Sequence, residues 1–136
     1  MTKMSGIGVA LTGLAFLTGC AFDISHVKQR PAAFASVQSP ARQFTLVEAV
    51  KVTVGSGFPT RLKAGTRWRQ VGRLDQGDVF ATQDQIVTVE ASNIYEAQLV
   101  VTGDVIAGFY LPIEKTFVAA TSRPRLRTTP IETPNP

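Results

Sequence analysis

The chain has 136 residues, with 14 lysine and arginine residues against 10 aspartate and glutamate residues, and a formal net charge of +4. This length allows one small domain, and the modest positive charge is not the electrostatic signature of a nucleic-acid-binding protein. One cysteine excludes an intramolecular disulfide framework, and one histidine excludes sites that need a histidine pair.

The first residues have the pattern of an export signal. Lys3 is followed by an almost purely apolar run over residues 7–17. A basic start and an apolar stretch of this length are typical of a signal peptide. The run is too short to span a bilayer comfortably, because a transmembrane helix needs roughly 20 apolar residues. The sequence therefore predicts export rather than anchorage by a helix.

The apolar run ends in Leu-Thr-Gly-Cys at residues 17–20, which resembles the lipobox of bacterial lipoproteins. In that family the cysteine sulfur receives a diacylglyceryl group, a peptidase cuts before the cysteine, and its new amino group is usually acylated. The resemblance implies that residues 1–19 are a cleaved signal peptide and that Cys20 is the lipidated first residue. Two or more acyl chains anchor a protein stably, whereas one holds it only marginally. The alternative for Cys20 is a small buried thiol in an N-terminal helix.

The residue after the cysteine carries information about location. In the lipoprotein family, Asp at this place tends to retain the protein at the inner membrane, and this chain has Ala21 instead. The resemblance therefore implies the periplasmic side of the outer membrane in a Gram-negative envelope. The membrane is then a partner through the lipid anchor, and nucleic acid is not expected as one.

Residues 20–42 are small, polar and punctuated by prolines, without a helical or strand period. We expect a flexible tether that lifts the domain off the lipid surface. His26 lies in this tether without neighbouring ligands and is expected to be a solvated linker residue.

Residues 43–118 contain short apolar alternations separated by turns, beginning with a half-buried strand that ends at Val54. Trp68 is expected in the core, on the opposite face of its strand from the neighbouring arginines. About six strands, turns every ~8–12 residues and no helical period predict an all-β meander. Curling into a small barrel would remove the exposed sheet edges.

The last hairpin has the clearest local geometry. Residues 94–101 and 105–111 flank a turn in which Gly103 occupies the first central position. The register set by this turn pairs Val101 with Ile106, Leu99 with Gly108, and Ala97 with Tyr110.

A Gly65-Thr66 turn, the strand that bears Trp68, and the later Gly77-Asp78-Val79 loosely resemble bacterial SH3-type barrels. The resemblance implies an SH3-like barrel. It implies no binding residues, because the acidic loop and aromatic cluster that those domains use for peptides are not legible in this sequence.

The densest charge feature is five bases within thirteen residues, with no acid among them: Arg61, Lys63, Arg67, Arg69 and Arg73. On a regular strand the last three share one face. One interpretation is a solvated strand whose arginines pair with Asp75, Asp78, Asp84 or Glu90. The other is an anion-binding face for a lipid phosphate, an acidic glycan or an acidic partner, because arginine matches phosphate and carboxylate in a forked geometry.

Enzyme chemistry is not expected, because the chain has no histidine pair, no thiol that survives lipidation, and no glycine-rich phosphate loop before a helix. The serine of Gly55-Ser56-Gly57 lacks the helix that a nucleophile elbow requires. Glu90, Glu96 and Glu114 could converge as in glycoside hydrolysis, but the block is small for a sugar cleft. No metal site and no cofactor are expected.

Residues 119–136 combine prolines and arginines and are predicted to form a disordered tail. The sequence thus predicts a non-enzymatic lipoprotein whose small β-domain, residues 43–118, acts as an accessory or assembly module in an envelope complex. The alternative is a module that binds an anionic lipid head group or glycan through its arginine-rich strand.

Overall fold

A computed structural model describes residues 27–38 and 41–132. The export signal, the lipobox and His26 lie outside this part of the chain. Within it the secondary structure consists of thirteen strands and no helix. The all-β prediction is confirmed, and the described strands are more numerous than the six or so expected.

All strand pairings are antiparallel, and most strands belong to one sheet of nine strands with the path β1-β12-β11-β10-β7-β6-β3-β13 and with β2 paired to β6. Two ribbons, β4-β5 and β8-β9, lie outside this sheet. The strands are β1 (Arg30–Pro31), β2 (Ala35–Ser36), β3 (Gln43–Leu46), β4 (Val50–Val52), β5 (Thr60–Leu62), β6 (Arg67–Leu74), β7 (Gly77–Thr82), β8 (Thr88–Glu90), β9 (Ile94–Glu96), β10 (Gln98–Thr102), β11 (Val105–Leu111), β12 (Thr116–Ala119) and β13 (Thr128–Pro130).

The large sheet is strongly curled. β1 pairs with β12 and β2 pairs with β6, yet only residues 32–34 separate β1 from β2. The chain between them spans at most about 14 Å. A flat sheet would place the two strands roughly 29 Å apart, at about 4.8 Å per strand. The sheet must therefore bend until β12 and β6 approach each other.

The curled sheet is not a closed barrel, so the expected closure is wrong. Its path ends at β1 and at β13, and these two strands do not pair with each other in the described part of the chain. The two edges offer little backbone for pairing with another strand, because both end strands are only two or three residues long and both contain a proline.

The main core lies between the large sheet and the two ribbons. The ribbons are joined by a bridge between Phe58 and Glu90, and by the Thr60 hydroxyl, which donates to the Thr88 carbonyl at 2.7 Å. Trp68 is 1% exposed in this core and donates its indole N–H to the Thr66 hydroxyl at 2.8 Å. The main core comprises Phe44, Leu46, Val52, Val54, Leu62, Trp68, Phe80, Val87, Val89, Ala97, Leu99, Val101, Ile106, Phe109, Leu111, Val118 and Leu126.

A second cluster lies on the opposite face of the large sheet. Its members alternate along the strands with residues of the main core, so the two sets point in opposite directions. Residues 27–38, here called the N-terminal strap, cover this cluster. The Phe34 ring stacks on Tyr110 with centroids 4.9 Å apart, and the Thr116 hydroxyl donates to the Gln29 amide oxygen at 2.9 Å. The second cluster comprises Leu74, Val79, Val100, Ala107, Tyr110 and Phe117.

The strap differs from the flexible tether expected over residues 20–42. Ala32 packs against the second cluster, and the backbone N–H of Val37 donates to the Val71 carbonyl at 3.1 Å. A Cβ at Gly72 would lie 2.2 Å from the Phe34 ring, so the absence of a side chain there makes room for that ring. One phenylalanine among small residues makes no period, which explains why the sequence pattern does not indicate this packing.

The C-terminal region differs from the expected disordered tail over residues 119–136. β13 pairs with β3, and Leu126 is 6% exposed within the main core. The N–H of Leu126 donates to the Asp104 carbonyl at 2.7 Å, and the N–H of Ile106 donates to the Pro124 carbonyl at 2.9 Å. This ordering depends on backbone pairing and one isolated leucine, neither of which gives a sequence period.

The β10-β11 hairpin follows the predicted register only near its turn. Val101 faces Ile106 as predicted, and Gly103 has a φ of 65°. A β-bulge then shifts the pairing, so that Leu99 faces Phe109 rather than Gly108. Ala107 is the residue of β11 that has no counterpart on β10, and it is buried in the second cluster. The predicted pairing of Ala97 with Tyr110 is therefore wrong, because the bulge places Tyr110 opposite Gln98.

Candidate functional site

The predicted lipidation site, Cys20, lies outside the described residues, and six residues separate it from Val27. Val27 lies beside the turn between β4 and β5, because a Cβ at Gly57 would be 3.5 Å from a Val27 methyl group. None of the described segments forms a helix of the length and apolarity needed to cross a membrane. The chain leading from Cys20 thus joins the domain at the β4-β5 turn.

The arginine-rich strand β6 begins with the predicted alternation. Trp68 and Gln70 are buried, whereas Arg67 and Arg69 are exposed on the other face. This alternation arises because successive side chains of a strand point to opposite faces. The prediction for the first half of the strand is therefore confirmed.

A β-bulge at Val71 changes the face of the second half. Gln70 faces Phe80, but Gly72 faces Val79, and Phe80 and Val79 point to opposite sides of the sheet. Arg73, paired with Asp78, consequently lies on the face opposite to Arg67 and Arg69. The structure does not bring the three arginines together as expected, because the extra residue of a bulge reverses the alternation.

Arg67 is engaged by Asp84 through three hydrogen bonds. The guanidinium donates to the two carboxylate oxygens at 3.1 and 3.0 Å, and the Arg67 backbone N–H donates at 2.7 Å. The Arg67 guanidinium, and next its backbone N–H, hold the pKa of Asp84 below the ordinary aspartate value. The side-chain hydrogen bonds to Asp84, and next the charge of this carboxylate, raise the pKa of Arg67. This guanidinium therefore already has an anionic partner.

Arg73 also has an acidic partner. Asp78 accepts from Arg73 at 3.3 Å and from Arg42 at 3.3 Å, and the Arg42 guanidinium lies 5.0 Å from the centre of the Phe80 ring. One carboxylate thus serves two arginines at the margin of the main core. Surface pairs of this kind contribute only about 0–1 kcal/mol each to the stability of the fold.

Arg69 is the arginine of β6 whose guanidinium has no hydrogen bond or ion pair within the described segments. It faces Gln43 on one side and Ala81 on the other. These residues and Gln83 line a groove of about 340 Å³. Among the described residues the groove presents the guanidinium of Arg69 and two amides beside the Arg67-Asp84 ion pair, an arrangement that could hold a small anionic group next to Arg69.

Of the remaining predicted bases, Arg61 lies on β5 and Lys63 directly follows this strand. Arg61 directly faces Lys51, both are exposed, and neither has a carboxylate partner among the described residues. The side chain of Gln85 fixes the backbone here, accepting from the Lys63 N–H at 2.8 Å and donating to the Arg61 carbonyl at 3.0 Å. Like charges directly opposite each other are ordinarily destabilising.

Sequence reasoning missed Lys51 as a member of this basic pair. The alternation of Val50, Lys51 and Val52 indicates that Lys51 points outward, but it does not indicate which strand lies beside it. The pairing of β4 with β5 follows from the turn around Gly57, whose hairpin register the sequence leaves open.

The carboxylates considered for catalysis lie at two separate places. Glu90 and Glu96 lie on β8 and β9, and Glu114 lies in the turn between β11 and β12. The described ranges contain no group of three potential metal-ligating side chains. Comparison of the chain with protein families, curated proteins and solved structures gave no match. A function must therefore be inferred from the chain's own residues.

Proposed function

We propose that this protein is a non-enzymatic envelope lipoprotein, anchored by acyl chains on Cys20 to the periplasmic side of the outer membrane. Its β-domain acts as an accessory or assembly module in an envelope complex. One observation carries the proposal: the only cysteine ends an apolar run, with a leucine three residues before it and small residues between. Several acyl chains on this residue would anchor the protein stably.

The position of Val27 limits how far the β-domain can lie from the proposed anchor. Seven Cα steps from Cys20 to Val27 cover at most about 25 Å. Because the strap packs on the sheet from there onward, an anchor on Cys20 would hold the β-domain at the bilayer surface rather than on a long tether. A domain held in this way is suited to meeting partners in the same membrane.

Metabolic labelling with palmitate tests the anchor. We expect the wild-type protein to incorporate label and Cys20→Ser to lose it, because the serine hydroxyl does not replace the cysteine sulfur as the diacylglyceryl acceptor. Thr18→Ala is the matched control, because it keeps a small residue in the lipobox and should retain the label. Label in Cys20→Ser, or none in the wild type, would contradict the proposal.

Fractionation of the envelope tests the location. We expect wild-type protein in the outer-membrane fraction and, from the resemblance to the lipoprotein family, more Ala21→Asp protein in the inner-membrane fraction. Wild-type protein recovered only with the inner membrane would contradict the outer-membrane part of the proposal and leave the anchor itself intact.

The second candidate function is anion binding through the arginine-rich strand. The observation that favours it is the guanidinium of Arg69, which lines a groove and has no hydrogen bond or ion pair with another described residue. Asp84 and Asp78 already neutralise Arg67 and Arg73, so this candidate rests on one residue. Binding of an anionic glycan that is unchanged by Arg69→Glu and by raised salt would exclude it. The likeness of the β-domain to SH3-like barrels stays a prediction.

A further inference from the structure

The turn of the β4-β5 hairpin is neutral and exposes a large apolar side chain. Residues 52–60 include no charged residue, and Phe58 is 62% exposed at the end of the turn. Val27, where the described chain begins, lies against this turn at Gly57. The exposed phenylalanine therefore stands beside the route to the proposed lipid anchor.

A second exposed apolar side chain lies in the same row. The N–H of Phe58 donates to the Glu90 carbonyl at 2.9 Å, and Glu90 directly faces Ile94 across the β8-β9 ribbon. Residues directly opposite in antiparallel strands have side chains on one face. Ile94 is 70% exposed, so this row presents two large apolar groups to the surroundings.

Four bases lie on the two segments that flank this row, the strap and the β4-β5 hairpin. Lys28 and Arg30 of the strap share a cleft with Gly55 of the turn, and Lys51 faces Arg61 on the outer side of the hairpin. None of these four side chains forms an ion pair with another described residue. The carboxylate in the row is Glu90, which leaves an excess of positive charge. We call Lys28, Arg30, Lys51, Phe58, Arg61 and Ile94 the tip surface.

We propose that the tip surface is a second membrane contact of this protein. Phe58 and Ile94 enter the head-group region of an anionic bilayer, and the four bases bind lipid phosphates. Apolar groups gain from leaving water at this interface, and bases near an anionic surface are attracted to its phosphates. The inference rests on the proposed anchor at Cys20, because the short chain to Val27 brings this side of the domain to the bilayer.

Depth-dependent quenching of tryptophan fluorescence tests the contact. Full-length protein, processed and lipidated in the host, is reconstituted into vesicles of phosphatidylglycerol and phosphatidylcholine, with or without bromine on the acyl chains. Phe58→Trp places a probe in the tip surface. Ile113→Trp is the matched control, because Ile113 is also largely exposed (72%) but lies in the turn that precedes β12. The opposite end of β12, at Ala119, shares the cleft with Val27. Wild-type protein supplies the background from the buried Trp68.

We expect bromine to remove most of the emission added by Phe58→Trp and little of the emission added by Ile113→Trp. Adding Lys51→Glu and Arg61→Glu to Phe58→Trp should lower the quenching severalfold in anionic vesicles, and far less in vesicles of phosphatidylcholine alone. Equal quenching of the two probes in protein that floats with the vesicles would overturn this inference and leave the anchor proposal standing. Protein that fails to float with the vesicles would overturn both.

Discussion

The two apolar clusters lie back to back on the same curled sheet, yet they are completed by different parts of the chain. The main core is closed by the β4-β5 and β8-β9 ribbons, which belong to the middle of the sequence. The second cluster is closed by the N-terminal strap, which leads directly toward Cys20. The main core is thus closed chiefly by the middle of the chain, with Val27 of the strap at its margin, whereas the second cluster depends on the segment nearest the proposed membrane anchor.

The two clusters also differ in how deeply their aromatic side chains are buried. Trp68 and Phe80 of the main core are at most 1% exposed, whereas Phe34 of the strap is 37% exposed above Tyr110. Local openings occur most readily where few buried contacts must be broken. The comparison therefore predicts that the strap can be released while the main core stays folded, and substitutions on the two sides should separate the two events.

The largest effect is expected in the main core. Phe80 is fully buried and packs edge to face with Phe44 at 4.9 Å. Phe80→Ala should lower the free energy of unfolding by about 3–5 kcal/mol, because it removes a large apolar surface and leaves a cavity. Urea denaturation followed by circular dichroism measures this change. A loss similar to that of a strap substitution would remove the distinction between the two clusters.

An intermediate effect is expected where the strap meets the sheet. Gly72→Ala should lower the free energy of unfolding by about 1–3 kcal/mol, because its Cβ would lie 2.2 Å from the Phe34 ring and 2.9 Å from the Ala35 carbonyl oxygen. Limited proteolysis should show cleavage within residues 27–38 before the rest of the domain is digested.

A double-mutant cycle with Phe34→Ala identifies the source of the Gly72→Ala effect. If the added methyl acts by displacing the Phe34 ring, the two substitutions together should cost less than the sum of the single effects. Strict additivity would contradict the proposed contact.

A smaller effect is expected from Phe34→Ala alone. It removes a stacked aromatic pair, which contributes about 0.5–1.5 kcal/mol beyond burial of area. Hydrogen exchange should become faster at the strap amides of Ala32 and Val37 and stay unchanged in β10. Phe58→Ala is the matched control, because Phe58 is exposed and has no ring contact among the described residues. Faster exchange in β10 would mean that the strap and main core open together.

The smallest effect is expected at Asp84, which lies outside both clusters and gives a baseline for surface substitutions. Its folded-state pKa lies below the ordinary value because Arg67 binds the carboxylate. The resulting stability is therefore present above the ordinary aspartate pKa and is lost as the pH falls through the lowered value. The difference in melting temperature between wild type and Asp84→Asn should be small at neutral pH and should vanish in acid. A difference that grows in acid would contradict this sign.

The features that were predictable from the sequence are local ones. The alternation around Trp68, the turn at Gly103 and the all-β class follow from period and turn chemistry within a few residues. The bulges at Val71 and Ala107 were not predictable, because a bulge is defined only relative to a partner strand. Valine is a common strand residue and alanine is small, so neither residue marks a bulge in the sequence. The candidate site was only partly predictable for the same reason. The five bases were visible in the sequence, but the pairing of the strands decides which sheet and which face of it each base occupies.

The strap also determines the order in which the structure can be completed. Gln29 and Thr116, which it joins by a hydrogen bond, are separated by 87 positions in the sequence. A chain made from its N-terminus presents the strap long before β6 and β12 exist. The strap therefore cannot dock fully until β12 has been made, and until then Tyr110 and its neighbours lack the cover of the strap. Such long-range closure is slow relative to local hairpin formation, so docking of the strap should follow formation of the β10-β11 hairpin.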